Sequence, residues 1–238
     1  MNWLIDPCVH VISLRRSMDR REALINRHAD QPFPYRFVDG IDGQEQWPAI
    51  SRSRMVLQAW NEGWNRGAIG SALSHRMMWR YCLQIHRPII VLEDDVVAAP
   101  QWLDAVQELF KSLQPDLDLL LLGWNLDSVL QAQLVPGLIS TSLFEPSLPS
   151  LEQLLGILSS DIPRQACRLH KALGLPGYLV TPVGAKKLLA GLPRLCAEPL
   201  KVGRGIPEIP SMTLDAQMNR LYPQMAAYVS YPPLVLAE

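Results

Sequence analysis

The 238-residue chain is 48% hydrophobic and 19% charged, which is enough apolar content for one large domain with a full core. Its formal net charge of -1 leaves no electrostatic footprint for nucleic acid, and no apolar run approaches the roughly 18 residues of a membrane span. Cys8, Cys82, Cys167 and Cys196 are scattered without a CxxC pair, which argues against a zinc site or a disulfide frame and for a reducing, cytoplasmic compartment.

Met1–Asp6 carries no basic segment and no long apolar run, so no signal peptide is expected. Cys8–Leu14 (CVHVISL) reads as a first buried strand, with His10 a half-buried core histidine. Arg15, Arg16, Arg20 and Arg21 follow around Ser17, which can cap a helix reaching about Ala29. Arginines at a helix N-terminus beyond a strand suit an anion such as a nucleotide diphosphate. A solvated basic helix face is the simpler account of the same residues.

Tyr35–Val38 is a second short strand, stopping at the turn signal Asp39-Gly40-Ile41-Asp42-Gly43. Asp39, just past a strand end, can accept hydrogen bonds from a ribose, or can simply make an Asp-Gly turn. Residues 44–66 read as a loop with a short helix. Gly67–Ser71 reads as a glycine-bracketed turn feeding a helix capped by Ser71. On that helix Leu73, Met77, Met78, Tyr81, Cys82 and Ile85 share a core-facing stripe, while Ser74 and His75 lie in the first turn on the other side. Gly67 and Gly70 either let a ligand approach the backbone or only shape the turn.

Ile89-Ile90-Val91-Leu92 is an unbroken aliphatic run, as in a strand buried on both faces. It ends in Glu93-Asp94-Asp95. Three carboxylates at a strand's C-terminal end repel one another unless a cation, solvent or basic side chains sit there. In open α/β sheets that end is also where ligands bind. The run therefore reads either as a hard-metal site holding a phosphate or as a solvated acidic turn.

Pro100 opens an amphipathic helix carrying Trp102, Leu103, Val106, Leu109, Phe110 and Leu113, ended by Pro115. Leu117–Leu122 is another buried strand, running out to Gly123-Trp124-Asn125-Leu126-Asp127. Residues 128–176 are proline-rich, with a helix near Leu151–Leu158, and read as an irregular insertion or lid. Gly177–Val180 is a strand, and Thr181-Pro182 caps and opens a helix to Leu192. Residues 193–212 form a loop. Thr213 can cap a last helix with Asp215 and Asn219 four apart on one face. Tyr228–Tyr231 is a closing strand. Strands alternating with helices predict an α/β chain, a three-layer α/β/α sandwich on a central, mostly parallel sheet, in one domain over 1–238.

Several of these segments, in this order, resemble glycosyltransferase family 25: VISLRRSMDRR, FVDGIDG, GAIGSALSHRMMW, IIVLEDDV, LLLGWN, GYLVTPVGAKKLL, LDAQMNRLYP and YPPLV. The resemblance implies a GT-A-like fold and an inverting, metal-dependent transfer of a hexose, commonly galactose, from a UDP-sugar to a glycan or lipid-linked glycan acceptor. Lipopolysaccharide or other surface-glycan synthesis is the implied setting. That setting leaves room for peripheral contact at the inner face of the membrane. It implies Mn²⁺ or Mg²⁺ held by Asp95 and Glu93, with Asp94 in the same acidic motif. Leu14, Arg15, Arg20 and Asp39 would line the nucleotide, and Gly70, Ser74 and His75 would approach the diphosphate or donor sugar. A general base within about 3 Å of the acceptor hydroxyl is needed; Asp215 is the first candidate, then Asp127, with Glu208 behind them. A non-catalytic relative that binds a nucleotide-sugar or glycan is the alternative. A sugar-1-phosphate nucleotidyltransferase is disfavoured, because Ser13-Leu14-Arg15-Arg16 offers no glycine-rich loop for a triphosphate.

Overall fold

The computed structural model describes residues 6, 8–30 and 32–238; the stretch Met1–Ile5, where no signal peptide is expected, lies outside them. The chain opens with β1 (Val9–Ser13), α1 (Met18–Arg27) and β2 (Tyr35–Asp39). Two short helices, α2 (Trp47–Ile50) and α3 (Arg54–Asn61), lead into the long α4 (Arg66–Ile85). Then come β3 (Ile89–Glu93), β4 (Val96–Ala98), α5 (Trp102–Leu113) and β5 (Leu119–Leu121). A hairpin of β6 (Val129–Val135) and β7 (Leu138–Leu143) is followed by α6 (Leu151–Leu158), β8 (Gln165–Ala172), β9 (Gly177–Val180) and α7 (Pro182–Gly191). The last elements are α8 (Leu214–Met218), β10 (Ala227–Tyr231) and β11 (Val235–Ala237).

Nine strands form one sheet in the order β2-β1-β3-β9-β5-β10-β8-β6-β7, while β4 and β11 pair separately. β1 runs parallel to both β2 and β3, and β5 parallel to β10. β9 runs antiparallel between β3 and β5, so those two point the same way. The C-terminal ends of β1, β2, β3 and β5 therefore share one edge of the sheet.

The apolar runs of the sequence become strands because both faces are covered. Ile89 and Val91 enter one core with Trp79, Leu188 and Met218, whereas Ile90 and Leu92 enter the other with Leu24, Val106 and Phe110. Leu119 and Leu121 alternate with Leu120 in the same way. Each such side chain contributes about 1.5–3 kcal/mol by leaving water. α3, α4, α7 and α8 form one helical layer and α1, α5 and α6 the other, completing the three-layer sandwich.

Several local readings change. Helix α4 starts at Arg66, before the expected Gly67–Ser71 turn begins, because Asn65 Oδ1 accepts from Ala68 N at 2.7 Å and caps it in place of Ser71. Gly70 thus lies inside the helix, against the backbone of the loop after β2. A Cβ there would meet Ile41 O at 2.4 Å and Gly43 N at 2.7 Å. Gly70 serves a close approach of protein to protein, not of ligand to protein, whereas a Cβ on Gly67 would meet only the Asn65 side chain, at 3.3 Å. Ser17 makes no side-chain cap on α1, and α5 begins at Trp102 after Gln101 takes a left-handed conformation. Residues 128–176, expected as irregular, supply β6, β7 and β8, an antiparallel wing on the sheet. β8 has one covered face, with Cys167 and Leu169 buried and Arg168 between them less so, and the prolines all fall outside the strands.

Gly70→Ala tests the α4 contact. Alanine favours helix by up to about 1 kcal/mol, but the clash with backbone that cannot swing away costs about 1–3 kcal/mol. Urea unfolding is expected to show a net loss of stability; a gain would mean that the loop yields freely.

Candidate active site

The shared strand edge carries a cleft of about 500 Å³. Ser13 and Leu14 leave β1 there, Arg16 comes from the turn before α1, Arg20 from the first turn of α1, and Ile41 to Gln44 from the loop after β2. Gly67, Ser71, Ser74 and His75 come from α4, and Glu93, Asp94 and Asp95 from the end of β3. Ser74 fastens helix to loop: its hydroxyl accepts from Ile41 N at 2.7 Å and donates to Gly70 O at 2.8 Å.

Carboxylates outnumber guanidiniums in this cleft, with Asp19, Asp42, Glu93, Asp94 and Asp95 against Arg16 and Arg20. Arg20 Nη1 reaches both Asp94 Oδ1 at 3.1 Å and Asp95 Oδ2 at 3.4 Å. Arg16 pairs with Asp42, whose other oxygen accepts from Gln44 N at 2.9 Å and Glu45 N at 3.2 Å. Asp95 Oδ1 is buried with no hydrogen-bond partner. Burial and the neighbouring Glu93 push the Asp95 carboxyl up to about 6, although Arg20 pulls it down.

A second cavity, of about 330 Å³, adjoins the first and shares Gly67, Ser71, His75 and Glu93 with it. Its far wall is Asn125, Gly174, Thr213, Leu214 and Asp215. Gly174 has φ +88°, and a Cβ on it would fall 2.0 Å from Asn125 Oδ1, so only glycine fits between β8 and β9. Its N–H donates to Asp215 Oδ2 at 2.6 Å. Asn219, just past the far end of the helix that carries Asp215, anchors that helix: its Oδ1 accepts from Ala172 N at 2.8 Å and its Nδ2 donates to Ala172 O at 2.7 Å.

A family profile described as glycosyltransferase family 25 (LPS biosynthesis protein) matches residues 7–198. The chain belongs to glycosyltransferase family 25. A protein of Acanthamoeba polyphaga mimivirus named as a glycosyltransferase is 27% identical over 124 residues, covering 49% of this chain and 37% of that one. Procollagen galactosyltransferase 2 of Mus musculus is 28% identical over 132 residues, 50% of this chain and 20% of that one. The chain thus matches well under half the length of either relative. The structure of mouse xyloside xylosyltransferase 1 in its apo form aligns over 93% of this chain and 71% of that one, at 12% identity and a TM-score of 0.37.

Among the residues expected to matter in family 25, Leu14, Arg20, Ser74, His75, Glu93, Asp94 and Asp95 line the 500 Å³ cleft, and Asp215 lines the cavity beside it. Others lie apart. Arg15 is 88% exposed and 3.9 Å from Asp39. Asp39 is held outside the cleft by Arg21 at 2.6 Å, which keeps its carboxyl below the usual range. Gly70 is a packing glycine, as described above. Asp127 lines a separate cavity of about 220 Å³ with Leu126 and Glu238. Glu208 pairs with Lys201 at 3.1 Å on the surface. A further apolar cavity of about 660 Å³ is walled by Trp124, Phe144, Leu148, Ile157 and Tyr231. Asp42 and Asn125 are not site candidates from sequence, and Thr213, expected as a helix cap, makes no side-chain cap and lines the second cavity instead. The Asp-Gly turn was the only signal available for Asp42.

The donor set at the end of β3 fits a hard cation. It is all oxygen, crowded and negative, with the buried Asp95 Oδ1 unpartnered. No group of three His, Cys, Asp or Glu side chains among the described residues converges as a full set of ligands. A hard cation there would draw the rest of its coordination shell from water and phosphate oxygens. No helix among the described residues is long and apolar enough to cross a membrane.

The raised Asp95 value has a sign. An acid that titrates at about 6 when folded, against 3.8 when free, holds its proton more tightly in the folded chain. Its contribution to stability therefore falls as pH rises through that interval. In metal-free protein, the stability of Asp95→Asn relative to wild type is expected to climb from pH 4 to pH 6 and then level off, read by urea midpoints. A difference independent of pH would show that Asp95 is not held in this environment.

Proposed function

We propose that the chain is an inverting glycosyltransferase that moves a hexose, galactose foremost, from a UDP-sugar to a glycan acceptor hydroxyl, in lipopolysaccharide or other surface-glycan synthesis. The observation that carries this reading is the charge imbalance of the cleft. Such an acidic pocket repels a diphosphate by itself and accepts one together with a divalent cation. Asp95 and Glu93, with Asp94, would hold that cation. Membership in glycosyltransferase family 25 supports a sugar donor, and the galactosyltransferase among the relatives supports galactose.

When bound, the cation supplies positive charge against that of the departing diphosphate. The remaining work falls to the chain. Arg16 and Arg20, both more than half exposed, can turn from their carboxylates to phosphate oxygens. Leu14 and Ser13 offer the end of β1 to the nucleoside. The donor's reacting carbon would sit where the two cavities meet, at His75 and Glu93, and the acceptor would enter from the Asp215 side. Asp215 then takes the proton of the attacking hydroxyl. The Gly174 N–H fixes one of its oxygens and leaves the other for that proton.

UDP and UDP-sugars are expected to raise the melting temperature in the presence of Mn²⁺ and not in its absence. Asp95→Ala should abolish the metal-dependent part of UDP binding in calorimetry; unchanged binding would remove Asp95 from the cation site. Asp215→Asn should lose transfer by about 10²–10⁴-fold while keeping UDP affinity, and retained turnover would exclude Asp215 as the base. Slow UDP release from a donor without acceptor marks an enzyme, whereas tight UDP binding with no turnover of any donor would favour the non-catalytic reading.

A further inference from the structure

His75 lies on the wall common to both cavities and is joined to the core by a buried chain of polar groups. Trp79 Nε1 donates to the Tyr178 hydroxyl at 3.1 Å, that hydroxyl lies 3.1 Å from His75 Nδ1, and His75 Nε2 lies 3.4 Å from Glu93 Oε1. Trp79 and Tyr178 are fully buried and His75 nearly so. The order of donors in this chain is determined. An indole N–H can only donate, so the Tyr178 oxygen accepts from Trp79. Burial holds the Tyr178 hydroxyl protonated, and that proton needs an acceptor in a place without water. His75 Nδ1 is the acceptor at hand. A proton on Nδ1 would leave the tyrosine hydrogen orphaned and would set a nitrogen lone pair against the Glu93 carboxylate.

We infer that Tyr178 and Trp79 are positioning residues that hold His75 with its proton on Nε2, so that His75 donates to Glu93 Oε1 and fixes that carboxylate at the mouth of the cleft. Glu93 has no other side-chain hydrogen bond among the described residues, so its second oxygen is left for the ligand. The tyrosine on β9 and the tryptophan on α4 thereby act on the cleft from inside the core, touching nothing that binds there. The tautomer follows from the hydrogen-bond chain alone; its consequence for turnover rests on the function proposed above.

The test is a long-range proton–nitrogen correlation spectrum of the metal-free chain with ¹⁵N-labelled histidine. His75→Gln identifies the His75 signals among the five histidines. Wild type is expected to show a protonated Nε2 and an unprotonated Nδ1, and Tyr178→Phe a mixture of tautomers. A protonated Nδ1 in wild type, or a tautomer unchanged in Tyr178→Phe, would overturn the inference without any variant needing to turn over. For donor hydrolysis, Tyr178→Phe should lower kcat by about 10–100-fold with the donor KM little changed. His75→Gln, whose amide can still donate toward Glu93, should retain more turnover than His75→Leu. Equal losses in the two His75 variants would overturn the positioning role. Absence of any UDP binding by wild type would instead sink the proposed function and leave the tautomer result standing.

Discussion

Arg20 offers one guanidinium to two aspartates, and beside them a third carboxylate, Glu93, faces the same space. This deficit of positive charge is the condition around which the rest of the strand edge is arranged. Strand β3 is buried on both faces and can carry no charge along its length, so its acids gather at its end. There they are neither fully solvated nor fully paired, which is why Asp95 holds its proton so much more readily than a free aspartate. A folded chain tolerates such a cluster when a ligand relieves it. The parallel pairing of β1, β2 and β3 brings the arginines of α1 and the 41–44 loop to this point and no other.

The two cavities are walls of one working surface. Helix α4 separates them, and its approach to the 41–44 loop is set by glycine backbone on both sides. The same helix presents Ser71 and His75 to both cavities and keeps Trp79 in the core. A nucleotide-sugar lying in one cavity and an acceptor in the other would meet over His75 and Glu93. The cleft side is dense in charge, while the far wall has a single acid, Asp215.

What the sequence discloses follows from the range of the interactions involved. Ile89–Leu92 and Leu117–Leu122 announce strands because burial on two faces leaves an unbroken apolar run. Thr181-Pro182 announces a helix start, and Thr181 Oγ1 does accept from Gly184 N at 3.1 Å. Strands β4 and β11 escaped notice because three residues carry no period, and each exists only through the other. The wing of β6, β7 and β8 was obscured by the prolines around it. Within the site, the acid triplet is legible as charge, but its pairing with Arg20 depends on contacts across some seventy residues of chain. The same holds for Arg21 drawing Asp39 out of the cleft. Tyr178 reads as one more apolar strand residue, because nothing local tells a core tyrosine from one whose hydroxyl orients a histidine.

Asn219 ties the end of α8 to the last residue of β8 through both hydrogen bonds of Ala172. One turn earlier the same helix presents Asp215, and the glycine two residues after Ala172 binds that aspartate. The antiparallel wing and the far wall of the second cavity are thus joined by hydrogen bonds at the end of β8. The position of that carboxylate is therefore set by where the wing ends as well as by its own helix.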